Sequence, residues 1–422
     1  MFEKFSKREV IEISLFILFI IVLTILFFNF ARANVEYDSG AYYTYLAVLT
    51  GNDKPYETAL IPARNFTFGV SLVSLPVTHT MFFVSSFVED ELVGTMPDSE
   101  NWVTLFPKKQ VLLKEIFFKD YFVEETRMTI EWELLAGIAL TSFLFLLIGI
   151  IACYKLLLLL NKKRTNLFLL VPVFVFSPIL LHNIFITPQF PTLIAFGLMS
   201  LFVLFFVKLY KQKNNKYVNR QSVLLGVLLG LLLLLRYEAL IFFFVTLFFI
   251  ARDFKERTKY FVFGFGVMVL LYFALNNALF GSFWEFSFIH NTMNSFALNG
   301  YYIFANLLHP FSGIVFFSPL IVLGLIGLYF LQKQKSKLSF ATPLLISSLL
   351  LIVVMLFRIP TFEDFSFTGL SFLEFLFSSG GAIQLVMYDA NRYLTLVIPI
   401  ALIGLNFVVN GIITNIKNKT NK

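Results

Sequence analysis

The chain has 422 residues, of which 58% are hydrophobic and only 14% charged, and its formal net charge is +7. Soluble proteins carry about 25% charged residues, so this composition excludes a water-soluble protein. Apolar runs of about 20 residues indicate transmembrane helices, because a helix satisfies its own backbone hydrogen bonds in lipid.

The first predicted element is a signal-anchor helix. The segment from Met1 to Arg8 is charged, and the apolar run 11–30 that follows it has no small-residue cleavage site, so we expect this helix to be retained. The single cysteine, Cys153, lies in a later apolar run. One thiol permits no internal disulfide and no cysteine-based metal site.

Basic residues set the predicted topology. They cluster at alternate junctions between the apolar runs, and if these junctions are cytoplasmic, 22 of the 33 Lys and Arg residues lie inside, as the positive-inside rule expects. We therefore predict an all-α polytopic protein of the plasma membrane, a single integral domain over 1–422 with both termini cytoplasmic. Its spans are predicted at about 11–30, 134–154, 166–186, 189–207, 221–235, 238–251, 260–280, 312–332, 338–357 and 393–413.

Two segments test this topology of about ten transmembrane helices. Residues 66–88 are apolar enough to span, but a span there would move every later basic cluster to the outside. We predict a re-entrant or interface-lying helix instead. Residues 221–251 hold Arg236 and Glu238 at their centre, and two short helices that meet at Arg236-Tyr237-Glu238 preserve the topology.

The longest predicted outer loop, 31–133, carries 15 acidic and 8 basic residues. Loops longer than about 15 residues are usually functional or disordered, and this one is too rich in aromatic and aliphatic residues for disorder. We expect juxtamembrane helices within it. No tandem or inverted repeat of the kind found in many transporters is evident.

Asp38, just after the first span, is the first candidate for chemistry. A carboxylate at this position can reach both an aqueous cavity and the membrane surface, and it suits the role of general base toward a hydroxyl or amine. The neighbouring Glu36, Tyr42 and Tyr43 could contact a sugar. The alternative is a helix cap followed by an interfacial aromatic belt.

Basic residues on the otherwise acidic outer face form a second set, which could bind a lipid phosphate because Arg offers a planar bidentate fork. The alternatives are ion pairs of Arg236 with Glu238 and of Arg392 with Asp389, and a headgroup-facing amphipathic helix over about 107–121 that carries the lysines. The set consists of Arg64, Lys108, Lys109, Arg236, Arg358 and Arg392.

The sequence does not contain the motifs of other common kinds of site. The histidines His79, His182, His290 and His309 are scattered over different segments, so no metal site is expected. There is no phosphate-binding P-loop, no dinucleotide fingerprint, no nucleophile elbow and no extended basic patch. We expect no metal, no cofactor and no nucleic acid.

In order and spacing these features resemble the GT-C superfamily of membrane glycosyltransferases, in particular its protein O-mannosyltransferase and aminoarabinose transferase branch. Ser39 stands where many members have a second acidic residue. The motifs that carry the resemblance are Tyr37-Asp38-Ser39-Gly40-Ala41-Tyr42-Tyr43, the segment from Asn65 to Pro76, Leu235-Arg236-Tyr237-Glu238-Ala239, Phe280-Gly281-Ser282 with Ser318-Pro319, and Asn391-Arg392-Tyr393-Leu394 followed by Pro399.

The resemblance implies a polyprenyl-phosphate-linked sugar donor, drawn from the membrane lipid, and inverting transfer on the extracytoplasmic face to an unknown acceptor, which could be protein, lipid or glycan. Asp38 would deprotonate the acceptor. Cations would stabilise the leaving phosphate, namely Arg64, Lys108, Lys109, Arg236 and Arg392, and Glu36, Tyr42, Tyr43 and Glu238 would contact the substrates. The alternatives are a transporter or flippase of lipid-linked sugars, and a non-catalytic relative of the transferases.

Overall fold

The computed structural model describes residues 7–30, 32–34, 45–47, 49–50, 69–85, 102–104, 132–160, 191–211, 218–280, 314–333, 340–357 and 392–420, with the isolated positions 170, 180, 184, 303 and 307. This part of the chain is helical apart from one short two-stranded ribbon. The predicted all-α class is therefore confirmed for it. The predicted span at 166–186 and the predicted helix at about 107–121 lie outside the described residues, apart from three isolated positions of the former.

The helices follow the predicted apolar runs closely. They are α1 (Lys7–Phe30), α2 (Gly69–Ser85), α3 (Trp132–Leu160), α4 (Pro191–Lys211), α5 (Val218–Leu235), α6 (Ala239–Asp253), α7 (Lys255–Phe280), α8 (Ile314–Phe317), α9 (Pro319–Lys333), α10 (Ala341–Leu356) and α11 (Ile398–Thr420), and a 3₁₀ segment covers Arg392–Leu396.

Two breaks between helices have local causes. The predicted pair of short helices over 221–251 is confirmed, since α5 ends at Leu235 and α6 begins at Ala239. The predicted run 312–332 is divided at Ser318, and Pro319 is the first residue of α9. Proline is tolerated in the first turn of a helix, where its missing N–H would have no intrahelical partner.

Within the described residues, four helices are long and apolar enough to cross a membrane: Val10–Phe28, Ala136–Leu160, Pro191–Lys211 and Lys255–Ala278. Shorter apolar helices accompany them, so the chain belongs in a membrane. Many large apolar side chains face outward, among them Leu270, which is 70% exposed, and Phe263, which is 64% exposed. In lipid this exposure carries no hydrophobic penalty.

Helix α1 lies at the edge of the bundle and contacts α3 through a narrow row of aromatic residues. Phe27 stacks on Phe143 with ring centroids 4.2 Å apart, and Phe16 stacks on Tyr154 at 4.7 Å. Most other large side chains of α1 are exposed, and only 11% of its candidate span is buried. It therefore presents most of its surface to the membrane.

Glycines allow close packing between α5 and α7. A Cβ on Gly226 would collide with the carbonyl oxygen of Phe261, one on Gly264 with the carbonyl oxygen of Val223, and one on Gly230 with the Cβ of Met268. From the Gly226–Phe261 contact to the Gly230–Met268 contact the chain advances along both helices, so α5 and α7 run parallel. Gly226 and Gly230 have the four-residue spacing of small residues that lets membrane helices approach closely.

The ends of several helices meet at what we call the basic end: the last turns of α3, α4 and α6 and the first turns of α5 and α7. Lys211 Nζ donates to the carbonyl oxygen of Leu159 at 2.7 Å, and Tyr210 Oη donates to Asp253 Oδ2 at 3.0 Å. The turn between α5 and α6 lies at the opposite end, here called the Arg236 end. Which side of the membrane each end faces stays a prediction.

The first loop contains the ribbon, which the sequence reasoning did not predict. Strand β1 (Arg32–Asn34) pairs antiparallel with β2 (Trp102–Thr104), with Arg32 opposite Thr104 and Asn34 opposite Trp102. The backbone just after α1 is thereby joined to a segment about 70 residues later. Three-residue strands have too few positions to show an alternating pattern.

Helix α2 falls inside the predicted helical segment 66–88 and is held at the Arg236 end. Its first residue, Gly69, lies against the backbone of Leu234 and Leu235 in the last turn of α5, and Thr78 lies against Gly137 near the start of α3. Both contacts are at the same end of the bundle. That α2 lies in the membrane interface or re-enters the membrane stays a prediction.

Candidate functional site at the Arg236 end

Arg236 is the charged residue around which this site is built. The helix α5 stops at Leu235, where the backbone N–H of Arg236 still donates to the carbonyl oxygen of Leu232 at 2.7 Å. The N–H of Ala239 then donates to the Arg236 carbonyl at 3.1 Å and starts α6. This tight reversal places the Arg236 side chain inside the bundle end, where it is only 6% exposed.

The guanidinium of Arg236 reaches across to another helix. Its Nη2 donates to Oγ1 of Thr192 at 3.1 Å, and Thr192, in the first turn of α4, is 1% exposed. The hydroxyl orients the guanidinium without neutralising its charge, and charges in membrane proteins are retained mainly where function needs them. The alternative of an ion pair between Arg236 and Glu238 stays a prediction.

Glu238 is partly exposed and directly precedes α6. It stands at the N-cap position with helical φ and ψ of −60° and −19°, and its side chain makes no capping hydrogen bond. A carboxylate close to the first turn of a helix is stabilised by the helix dipole.

Two tyrosines link the turn to the first loop. Tyr237 Oη and Tyr272 Oη are 3.1 Å apart and share a hydrogen bond. Tyr272, in α7, belongs to a buried cluster with Tyr45, Leu234 and Met268, in which Tyr45 is completely buried. A described residue of the first loop is therefore packed into the Arg236 end.

The predicted catalytic residue, Asp38, lies outside the described residues but between two described segments. It stands four positions after Asn34 of β1 and seven positions before Tyr45. Glu36, Tyr42 and Tyr43 fall in the same interval. The segment that carries the predicted catalytic residues thus ends at the Arg236 end.

The other predicted phosphate ligands are described only in part. Arg392 begins the 3₁₀ segment, which packs against α4, the helix that carries Thr192; its side chain is not described. Leu394 and Leu396 of this segment are fully buried. The residues that lie outside the described part of the chain are Arg64, Lys108, Lys109 and Arg358.

The register of the ribbon shows where the chain leaves it toward Asp38 and toward the predicted ligands Lys108 and Lys109. In an antiparallel pair the chain leaves one strand at the end where the other begins. The chain toward Asp38 therefore leaves the ribbon beside Trp102, whereas the chain toward Lys108 leaves it beside Arg32. The two segments leave from opposite ends of the ribbon.

Three residues of this site were missed by the sequence reasoning: Thr192, Tyr272 and Tyr45. Each contact joins positions far apart in the chain, and no local pattern reveals such a partner. A weak signal existed, because a tyrosine inside the apolar run of α7 needs a partner for its hydroxyl when it is buried.

No family model, curated protein or solved structure matches the chain. The resemblance to the GT-C transferases therefore stays a prediction that rests on the motifs quoted above. Of these motifs, Leu235-Arg236-Tyr237-Glu238-Ala239 is fully described, and it forms the turn between two short helices that the resemblance implies.

No metal-binding cluster exists among the described residues, where no group of three or more His, Cys, Asp or Glu side chains comes together. His79, the one histidine in the described ranges, is exposed on α2. Among the described residues, this end of the bundle holds a buried guanidinium with tyrosine and threonine hydroxyls near it.

Proposed function

We propose that the chain is a membrane glycosyltransferase that moves a sugar from a polyprenyl-phosphate donor to an acceptor on the extracytoplasmic face, with inversion and with Asp38 as the general base. One observation carries the proposal. Tyr45, seven positions after Asp38, is buried in the same cluster as the residues flanking Arg236. The chain that follows Asp38 therefore reaches the end of the bundle that holds a buried cation.

The proposed reaction needs both the carboxylate of Asp38 and the buried cation of Arg236. The acceptor hydroxyl or amine attacks the anomeric carbon, the bond from that carbon to the phosphate oxygen breaks, and the phosphate leaves with the electron pair. Asp38 takes the acceptor proton. A fixed cation stabilises the negative charge that develops on the leaving phosphate, and it acts most strongly where water is excluded, as it is around Arg236.

Arg392 is assigned by the packing of its segment, and the other predicted residues are assigned by their chemistry. Arg392 is the second phosphate ligand, because its 3₁₀ segment packs on the helix that positions Arg236. Arg64, Lys108 and Lys109 would attract the donor headgroup. Glu36, Tyr42, Tyr43 and Glu238 would contact the sugar or the acceptor.

The proposed topology has ten spans, with both termini cytoplasmic in the plasma membrane. It is supported by the meeting of the described basic clusters at one end of the bundle, opposite the Arg236 turn. With this orientation the site opens outward. Nucleotide sugars are cytoplasmic, so an outward site needs a lipid-linked donor.

The test uses the full chain in lipid nanodiscs, a panel of prenyl-phosphate sugars, and extracted membranes as the acceptor source. Release of free prenyl phosphate is measured by mass spectrometry. Loss of a general base lowers rates by about 10²–10⁴-fold, so Asp38→Asn should lower release by that factor in a protein that still purifies as a single species.

Asp53→Asn is the matched control, since Asp53 is another aspartate of the same loop, and it should release prenyl phosphate at the wild-type rate. Equal rates for Asp38→Asn and wild type would remove Asp38 from the mechanism. If the donor instead crosses a vesicle membrane intact, with no phosphate released, the chain is a flippase and the proposal is wrong.

A further inference from the structure

A pair of tyrosine hydroxyls joins the turn after α5 to the helix α7. Tyr237 lies in the turn itself, directly after Arg236, and its Oη is 3.1 Å from Tyr272 Oη. Each phenol can donate one hydrogen bond and also accept one. Because α7 is not part of the turn, this bond fixes the turn against a separate element of the bundle.

The backbone of the turn is closed by short-range bonds. The N–H of Ala239 donates to the Arg236 carbonyl oxygen at 3.1 Å, and the N–H of Leu240 donates to the Tyr237 carbonyl oxygen at 3.0 Å. Bonds between residues three positions apart have poorer geometry than those of an α-helix, and they hold the turn only against itself. A contact with another helix is therefore needed to fix the turn in the bundle, and the bond from Tyr237 to Tyr272 is such a contact.

The ring of Tyr272 belongs to a second contact. It lies in the buried cluster with Tyr45, Leu234 and Met268, where Tyr45 is 0% exposed and Tyr272 is 6% exposed. Buried aromatic rings contribute large apolar contact areas. Tyr272 therefore makes two different contacts, one through its hydroxyl with the Arg236 turn and one through its ring with the cluster that holds the first loop.

The second half of α7 carries buried polar side chains that an apolar membrane helix does not need. Tyr272 and Asn276 lie one turn apart on the same face of α7, and Asn276 is only 1% exposed. A polar group buried in a membrane helix costs free energy unless it is hydrogen-bonded. The hydroxyl of Tyr272 is therefore explained by its bond to Tyr237, since a phenylalanine would fill the same apolar space.

We propose that Tyr272 is a positioning residue that holds the Arg236 turn and the first loop in one fixed arrangement. Its hydroxyl fixes the turn through Tyr237, and its ring packs in the cluster that holds Tyr45. The inference rests on the proposed function, because Asp38 stands seven positions before Tyr45. A transferase needs its general base and its phosphate-binding cation in a fixed geometry, and Tyr272 joins the two parts of the chain that carry them.

The first test is hydrogen–deuterium exchange of the full chain in nanodiscs, read by mass spectrometry over residues 45–50 and 236–241. Both segments contain bonded amides, such as the N–H of Thr50, which donates to the Leu46 carbonyl oxygen at 2.9 Å. Tyr272→Phe keeps the ring and removes one hydrogen bond, so it should speed exchange about 3–10-fold in 236–241 only. Tyr272→Leu also removes the ring and should speed exchange in both segments.

The second test is a double-mutant cycle on prenyl phosphate release. Tyr237→Phe and Tyr272→Phe should each lower kcat about 3–10-fold. The double variant should be no slower than either single variant, because both changes remove the same bond. Tyr260→Phe is the matched control in both tests, since Tyr260 lies in the first turns of the same helix, at the basic end, and it should behave as wild type.

Three results would overturn the inference. These are wild-type exchange over 236–241 in Tyr272→Phe, wild-type exchange over 45–50 in Tyr272→Leu, and additive rate losses in the double variant, which would mean that each hydroxyl acts by itself. Failure of the proposed function gives a different result. If the wild type releases no prenyl phosphate, the transferase proposal is wrong, and the exchange measurement alone decides whether Tyr272 holds the turn and the loop together.

Discussion

The arginines at the two ends of the bundle differ in burial and in the kind of partner they have. At the Arg236 end one guanidinium is 6% exposed and is oriented by a neutral hydroxyl on another helix. At the basic end the Arg252 side chain is 52% exposed and pairs with its own neighbour, Asp253, through bonds of 2.7 and 3.1 Å. A buried charge is costly in a membrane and an interfacial one is not, so the first is expected to serve function and the second to serve anchoring.

The largest effect is expected when the buried charge of Arg236 is removed. Loss of one group that stabilises developing negative charge costs about 10²–10³-fold in rate, so Arg236→Gln should lower prenyl phosphate release by that factor. Arg236→Lys, which keeps the charge but loses the fork, should give an intermediate rate. The assay is the nanodisc reaction used for Asp38.

Arg252→Gln is the control for that experiment, because it removes an arginine from the opposite end of the same pair of helices. It should leave the release rate within about twofold of wild type, since exposed charges have little effect at a distance across a screened solvent. If both variants lose activity equally, the effect comes from the packing of α5 and α6 and the two ends do not differ in function.

Some features of the two ends could be predicted from the sequence alone, and others could not. The positions of the helices followed from apolar runs, and the break at Arg236 followed from two charges in the middle of a run too long for one span. Thr192 could not be found in this way, because it lies 44 positions from Arg236 and only the packing of α4 against α5 joins them. The parallel pairing of α5 and α7 had a signal in Gly226 and Gly230, but that spacing does not name the partner helix.

The candidate site could be predicted only as a set of residue types. Asp38 and the outer arginines were selected by chemistry and predicted side of the membrane. Tyr45 and Tyr272 were not selected, since a tyrosine in an apolar run is as common in a lipid interface as in a site. Whether such a tyrosine faces lipid or a site depends on contacts between residues that are far apart in the chain.

A second prediction concerns the contact that joins the two ends. Tyr272 of the Arg236 end and Thr258 of the basic end lie on one helix, α7, and the close contact of α7 with α5 holds both. Gly264→Ala would bring a methyl group into the carbonyl oxygen of Val223. Overpacking of this kind costs about 1–3 kcal/mol, so the variant should unfold at a lower temperature in detergent and should lose activity.

Gly266→Ala is the matched control, two positions away on the same helix. No atom lies within 4 Å of a Cβ added there, and alanine has the higher helix propensity, by up to about 1 kcal/mol. Its unfolding temperature should equal or exceed that of wild type. If Gly264→Ala is as stable as Gly266→Ala, the close contact between α5 and α7 does not join the ends.

The smallest effect is expected for the Arg252–Asp253 ion pair at the basic end. The Arg252–Asp253 pair has short distances, but its arginine is largely exposed, and exposed ion pairs contribute about 0–1 kcal/mol. Arg252→Gln should therefore change the free energy of unfolding in detergent by less than about 1 kcal/mol, and added salt should reduce even this difference. Asp253 would keep its hydrogen bond from Tyr210, which limits the loss further. A change above about 2 kcal/mol that salt does not reduce would mean that the pair acts as a buried one, and the contrast between the two ends would then be one of position and not of burial.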